Sequence, residues 1–175
     1  MEIVIRQARA EDAEGIAGVH IDSWRSAYRG KIPDKILNAL DIEERAQQWK
    51  EWLEAPGLSA LVATVDGLVA GFCCVLPSRD DDAGDTVAEI PSIYVLPSHW
   101  RHGIGRLLCE RTFTEARKRG FTELTLWVLD SNHRARHFYE SLGFRTDGKT
   151  KTDTQLSDTS LHEVRYRIEV PQAAV

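Results

Sequence analysis

An apolar run, Ile93-Tyr94-Val95-Leu96-Pro97, leads through Ser98-His99-Trp100-Arg101-His102 into Gly103-Ile104-Gly105-Arg106 and the start of a helical pattern. Glycines at such a turn let the backbone approach a ligand closely, and the first amides of a helix are unpaired donors at its positive end. The chemistry on offer is anion binding, of a phosphate or pyrophosphate, with charge-assisted bonds from Arg101, His102 and Arg106. Two other phosphate motifs are excluded. A dinucleotide fingerprint needs a third glycine at position 108, which is Leu, and a P-loop needs Gly-Lys-Ser/Thr, which is absent. A helix start that binds nothing uses the same glycines, so the turn by itself leaves both readings open.

Further along, Asn132 opens a segment with Ala135, Phe138, Tyr139 and Leu142 at helical spacing, followed by Gly143-Phe144. Periodicity alone makes Tyr139 a core residue and Asn132 a helix cap. Glu89 lies on a strand-like run six residues before Val95. A carboxylate there can take the proton of an ammonium group, whose pKa of ~10 otherwise prevents attack on a carbonyl. A solvent-facing strand glutamate looks the same in sequence. Trp24 and Tyr28, four apart on one helical face, suit either a pocket roof or core packing. Asp80, Asp81, Asp82 and Asp85 form an acidic loop that is either solvated or steers a cation. His133 and His137 lack the intervening glutamate of a zinc helix, and no metal site is expected.

Those residues need a scaffold, and its elements can be read. Glu2 to Arg9 alternates as a strand, and Glu11 to Tyr28 carries a helical stripe of Ala13, Ile16, Ala17, His20, Trp24 and Tyr28. A short helix starts at Pro33 with Ile36, Leu37 and Leu40. Asp41 with Glu44 three residues on is a capping box for a helix to about Glu54, with Ile42, Trp49 and Leu53 on one face. Ser59 to Val65 and Leu68 to Leu76 are strands joined by Asp66-Gly67, a two-residue hairpin signal. After the polar loop Pro77 to Asp85 come a strand from Thr86 to Leu96 and a helix from Gly103 to Arg119. A strand from Thr122 to Leu129 and a helix from Asn132 to Leu142 follow. Strands Phe144 to Thr150 and Leu161 to Val170 flank the loop Lys151 to Ser160. The hairpin gives an antiparallel part of the sheet and the strand–helix–strand unit a parallel pair, so the class is α/β (α+β).

Composition narrows the function classes. One domain accounts for 175 residues, with residues 1–170 in it and 171–175 a tail. A net charge of −5 argues against a nucleic-acid-binding face. No run approaches the roughly 18 apolar residues of a membrane helix, so no membrane role is expected. The N-terminus lacks a signal-peptide pattern, and Cys73, Cys74 and Cys109 read as reduced core thiols, which together predict a cytoplasmic protein.

With both motifs in view, the chain resembles the GNAT superfamily of acyl-CoA-dependent N-acyltransferases. The likeness rests on Val95-Leu96-Pro97 with Trp100-Arg-His-Gly103-Ile-Gly105, and on Asn132-x-x-Ala135-x-x-Phe138-Tyr139-x-x-x-Gly143-Phe144. The family's usual Gln/Arg falls on Trp100 here. The resemblance implies a mixed, mostly antiparallel sheet of about seven strands flanked by four to five helices. Pantetheine would lie in a splay between strands Thr86–Leu96 and Thr122–Leu129. It further implies that backbone groups of Ile93, Tyr94 and Val95 hold the pantetheine arm and that the Val95 amide polarises the thioester. Amides and side chains of Arg101, His102, Gly103, Ile104, Gly105 and Arg106 would hold the pyrophosphate, with Asn132, Arg136, Phe138 and Tyr139 also on the cofactor. Tyr139 becomes the general acid, Glu89 the general base, and Trp24 with Tyr28 the roof of the acceptor pocket. The implied reaction is direct acetyl transfer from acetyl-CoA to a primary amine of a small molecule in a ternary complex. A protein or peptide acceptor, or a non-catalytic acyl-CoA-binding module, is the alternative. Family members often pair, so a homodimer is compatible with this reading.

Overall fold

The computed structural model describes residues 1–154 and 160–173. The tip of the expected loop Lys151–Ser160 and the last two residues of the expected tail lie outside the described residues. In chain order the elements are β1 (Ile3–Gln7), α1 (Ala13–Tyr28), α2 (Asp34–Asn38), α3 (Ile42–Glu54), β2 (Ser59–Val65) and β3 (Leu68–Pro77). Then come β4 (Val87–Glu89), β5 (Ile93–Val95), α4 (Ile104–Lys118), β6 (Glu123–Leu129), α5 (His133–Ser141), β7 (Arg145–Asp153) and β8 (Leu161–Glu169). Among the described residues the strands form one mixed sheet ordered β1-β2-β3-β4-β6-β8-β7, with β5 on β3 beside that path. Only β4–β6 is parallel.

The sheet divides two apolar layers. Alternate side chains of β2, β3 and β6, such as Leu61, Cys73 and Leu126, pack with Leu108, Phe113 and Phe144 under α4 and α5. The opposite alternation, Val62, Phe72 and Cys74, packs with Ile16, Ala17 and Trp49 under α1 and α3. Period-two patterning thus assigns each strand residue to one layer. A smaller cluster, Ile32, Leu37, Leu129 and Leu161, seals the segment after α1 against the ends of β6 and β8, with Tyr28 packed on it. Ile42 departs from its expected face: it sits in the first turn of α3 and is exposed, while Trp49 is buried.

One expected strand is two. Thr86–Leu96 breaks at Ile90-Pro91-Ser92, so the sheet has eight strands rather than about seven. Pro91 has no amide to give a ladder. The register records an extra residue: Cys73 pairs with Ile93 and Leu76 with Glu89, three steps on β3 against four on the other chain. That is a β-bulge, and it turns β5 away from β6. β4 stays paired to β6 through Glu89–Thr125, and no residue of β5 pairs with β6. The gap is therefore written into the sheet by one proline and one surplus residue.

Strand β7 runs three residues past the expected Thr150. It places Lys151 opposite Glu163 and Asp153 opposite Leu161. The acidic loop is not simply solvated. Arg165, buried on β8, forms ion pairs with Asp80 at 3.1 Å, Asp82 at 2.7 Å and Asp147 at 2.7 Å. The Trp127 indole also donates to Asp80.

Candidate active site

A cleft of about 500 Å³ opens where β5 and β6 diverge. The ladder shows which backbone groups face it. Cys74 N–H donates to Ser92 O at 2.9 Å, and Leu96 N–H donates to Ala70 O at 2.8 Å. In an antiparallel pair, backbone groups of alternate residues point to opposite sides. Ser92, Tyr94 and Leu96 therefore spend theirs on β3, and those of Ile93 and Val95 face the gap. The expectation that the Tyr94 backbone would hold a ligand is corrected by this register; Tyr94 reaches the cleft with its side chain. The Val95 carbonyl is engaged by the Trp100 indole N–H at 2.8 Å, which leaves the Ile93 groups and the Val95 amide open.

The glycine turn closes one end. Arg101 has φ 65° and Gly103 φ 79°, so both adopt the left-handed region before α4 begins at Ile104. The first helical bond is Leu107 N–H to Gly103 O, which leaves the amides of Ile104, Gly105 and Arg106 without helical partners. Side chains of Arg101, Arg106 and Arg134 make this end basic. The Arg134 guanidinium lies 3.5 Å from the centre of the Trp100 ring, a cation–π contact that holds the indole at the mouth of the turn. Gly105 serves packing. A Cβ there would stand 3.0 Å from the Phe138 ring, so the two sequence motifs touch at this point.

Tyr139 of α5 lines the middle of the cleft from the α4/α5 side of the sheet. It is 9% exposed, and burial pushes its phenol well above the ordinary range, so it stays protonated. The Asn132 side chain accepts the Ala135 amide at 3.2 Å, the cap that starts α5, and also lines the cleft.

The far end is built on the other face, under α1. Ser23 and Tyr28 project from α1, Trp127 from β6 and Glu163 from β8. Glu163 pairs with Lys151 at 3.6 Å, and burial raises its carboxyl above the usual range, Lys151 opposing and Asp153 reinforcing the shift. Tyr94 is fixed from behind: Trp24 Nε1 donates to its hydroxyl at 3.1 Å, and His20 stacks on its ring at 5.5 Å. His20 accepts the Trp49 indole N–H at 3.2 Å, and burial lowers its pKa to about 3, so it is neutral.

Residues 21–144 match the family described as the Acetyltransferase (GNAT) family. The chain belongs to it. Among GNAT relatives, the uncharacterized N-acetyltransferase YuaI of Bacillus subtilis is 33% identical over 132 residues, 74% of this chain and 73% of its own length. The L-amino acid N-acyltransferase MnaT of Escherichia coli is 30% identical over 140 residues, 80% of this chain and 78% of its own. Two solved structures share the fold. PaiA N-acetyltransferase from Thermoplasma acidophilum, crystallised with coenzyme A, gives a TM-score of 0.76 at 21% identity, covering 97% of this chain and 99% of that one. The ribosomal-protein-alanine N-acetyltransferase of Brucella melitensis gives 0.75 at 25% identity, covering 95% and 99%. The protein is thus an acetyl-CoA-dependent N-acetyltransferase of GNAT type.

Against that frame, the fold gathers most of the expected residues and scatters four. Ile93, Tyr94, Val95, Arg101, Gly103, Ile104, Gly105, Arg106, Asn132, Phe138, Tyr139 and Tyr28 all line the GNAT cleft. His102 is exposed outside it. Arg136 turns away to donate to Tyr166 Oη at 3.0 Å and Asp130 O at 2.8 Å. Trp24 stands behind Tyr94 rather than in the cleft. Glu89 is buried outside the lining and held by Arg79, whose amide and guanidinium both donate to it. Sequence reasoning missed Ser23, Trp127, Arg134 and Glu163. A partial signal existed for Arg134, one turn before Phe138 on the α5 motif; none marked Glu163.

Proposed function

We propose that this GNAT enzyme transfers the acetyl group of acetyl-CoA directly to the primary amine of a small molecule, with both substrates bound at once. The observation that carries the reading is the gap between β5 and β6, with free backbone groups along one wall, a basic glycine turn at one end and a buried phenol in the middle. The amides of Ile104, Gly105 and Arg106, with Arg101, are assigned to the pyrophosphate. The pantetheine arm then runs along β5 as an added strand. Val95, nearer the turn, meets the arm; Ile93, further from it, meets the thioester carbonyl. This moves the carbonyl-polarising role from Val95 to Ile93. A fixed backbone donor suits that task because it needs no reorganisation as charge develops on oxygen.

The two faces of the sheet divide the remaining work. Tyr139 lies on the α4/α5 face, and Tyr28, Trp127 and Glu163 lie on the α1 face. The amine attacks from the acceptor face, the C–S bond breaks, and the departing thiolate takes the Tyr139 proton. The thiolate, of ordinary pKa ~8.5, is the weaker base of the two, so the phenol steadies it by hydrogen bonding and the transfer is completed as the phenolate is reprotonated. All three cysteines are buried outside the cleft, and burial raises each thiol, Cys73 to about 12. That supports transfer without an acyl-enzyme, because a reactive thiolate is what such an intermediate needs. The acidic, partly enclosed acceptor end supports a small amine over a protein chain.

Calorimetry with CoA and a thiol-release assay over small amines, amino acids and an N-terminal peptide test the proposal. Expected are CoA binding and thiol release that depends on a small amine. Release driven only by the peptide would move the acceptor to proteins. CoA binding without any amine-dependent release would leave a binding module.

A further inference from the structure

We propose that Glu163 is the carboxylate that receives the acceptor, holding the ammonium of a cationic primary amine between the Ser23 hydroxyl and the Tyr28 ring and then taking its proton. This rests on the acetyltransferase reading above and names the acceptor side of the same cleft.

Position is the first argument. On the parallel ladder Glu89 pairs with Thr125. Four residues on, less the one surplus residue of the bulge, Ile93 comes level with Val128, next to Leu129. Leu129 pairs with Glu163 across the β6–β8 ladder. Glu163 therefore stands one strand beyond the gap, one residue from the level of the amide assigned to the thioester carbonyl, while Glu89 is level with Thr125, four residues from Leu129 and roughly 13 Å back at the strand rise. Glu163 lines the cleft, whereas Glu89 is tied to Arg79 outside it.

Ser23 is the second argument, and it is independent. Its Oγ is the single buried side-chain oxygen or nitrogen without a hydrogen-bond partner among the described residues. The residue is 5% exposed and lines the cleft beside Tyr28. A buried hydroxyl left unpaired is costly, so such a group in a cleft marks the place where a ligand completes the bonding.

Charge is the third. The glycine-turn end carries Arg101, Arg106 and Arg134, while Glu163 lines the acceptor end, paired with Lys151 and with Asp153 near enough to reinforce its raised carboxyl. Burial keeps the phenols of Tyr28 and Tyr94 protonated; Glu163 adds to the shift at both, Asp153 adds at Tyr28 and Arg45 opposes at Tyr94. Lys151 is half-exposed on an edge strand and held by two contacts that are weak near solvent, the Glu163 pair and a cation–π contact 4.4 Å over Trp127, so an ammonium can replace it at modest cost. An acceptor bearing net positive charge fits this end, and one whose amine is neutralised by its own carboxylate fits it less well. Burial also moves the carboxyl toward the pH at which a base works best.

The protons balance. The ammonium gives one proton to Glu163; the free amine attacks and the C–S bond breaks. The thiolate receives the Tyr139 proton, the second amine proton returns to that phenolate through water, and Glu163 releases its proton to solvent.

The test uses two probes with the same amine, L-phenylalaninamide and L-phenylalanine, on the whole protein. The amide should be acetylated at least tenfold more efficiently. E163Q should lose at least 100-fold in kcat/KM for the amide and lose the acidic limb of the pH–rate profile, with CoA affinity unchanged by calorimetry and melting temperature near that of the parent. K151Q, which leaves Glu163 unpaired, should lower the amine KM. A preference for phenylalanine overturns the cationic assignment. Activity within threefold of the parent in E163Q, or the large loss in E89Q instead, overturns the role of Glu163. A parent protein that binds acetyl-CoA and acetylates neither probe also overturns the acceptor assignment, whereas one that binds no CoA overturns the reading beneath it.

Discussion

The two ends of the cleft are built from different materials. At the glycine turn the working groups are main-chain amides, set by left-handed dihedrals at Arg101 and Gly103 and by the start of a helix. At the acceptor end they are side chains from α1, β6 and β8, brought together by strand register and helix packing. Backbone donors depend on local conformation, whereas side chains gathered from three elements depend on the whole sheet. On the proposed assignment, co-substrate and acceptor are thus handled by separate structural means.

That contrast can be broken most sharply at Tyr139, which serves both ends. Tyr139→Phe should lower kcat by about 100-fold or more while acetyl-CoA affinity stays within threefold, the range expected for loss of a general acid. Unchanged kcat would remove the phenol from proton transfer and leave it as a wall.

His20 supports the acceptor end from behind. Its pKa is about 3 folded against 6.5 for an ordinary histidine, so the unfolded chain binds the extra proton first. Its contribution is complete above pH 6.5 and falls away as pH drops toward 3, amounting to roughly 2–3 kcal/mol at pH 4.5. In His20→Gln, urea midpoints at pH 7 and pH 4.5 should differ by correspondingly less than in the parent; an equal difference would place the titration elsewhere.

At the glycine turn a conformational substitution should outweigh a side-chain truncation. A Cβ at Gly103 meets nothing within 4 Å, so the cost of substitution is dihedral. Gly103→Val should raise the acetyl-CoA KM about tenfold, corresponding to roughly 1–2 kcal/mol of left-handed strain, while Gly103→Asn should raise it less than threefold. Equal effects would show that side-chain bulk matters here. Smallest is Asn132→Ala, expected to lower stability by about 1 kcal/mol through loss of the α5 cap, measured by urea denaturation.

Legibility in the sequence followed the same divide. The turn, the cap at Asn132 and the hairpin at Asp66-Gly67 are local, so residue types at fixed offsets announced them. Gly105 and Phe138 belonged to separate motifs, and their contact explains why each is needed. Glu89 precedes Val95 by six residues in the chain, yet Pro91 and the bulge turn the strand between them, and Arg79 takes its carboxylate. Glu163 is distant in sequence from every other cleft residue and reaches the site only through its pairing with Leu129. No periodicity marks a partner set by register across a sheet. Arg136 shared the helical stripe of a true motif, and only the position of the Tyr166 hydroxyl decided which way it turned.

The bulge at Ile90–Ser92 leaves a sheet with an edge in its interior. Edges usually sit at the rim, where charge, brevity or a covering loop guards them against stray pairing. On the proposed placement the guard is the cargo itself: the enzyme's own co-substrate would act as keystone, and a chain emptied of it would present open β-edge to its neighbours. At a free concentration 100 times its dissociation constant, that keystone would add about 2.7 kcal/mol to stability. Starvation for acetyl-CoA would then weaken the protein as well as idle it.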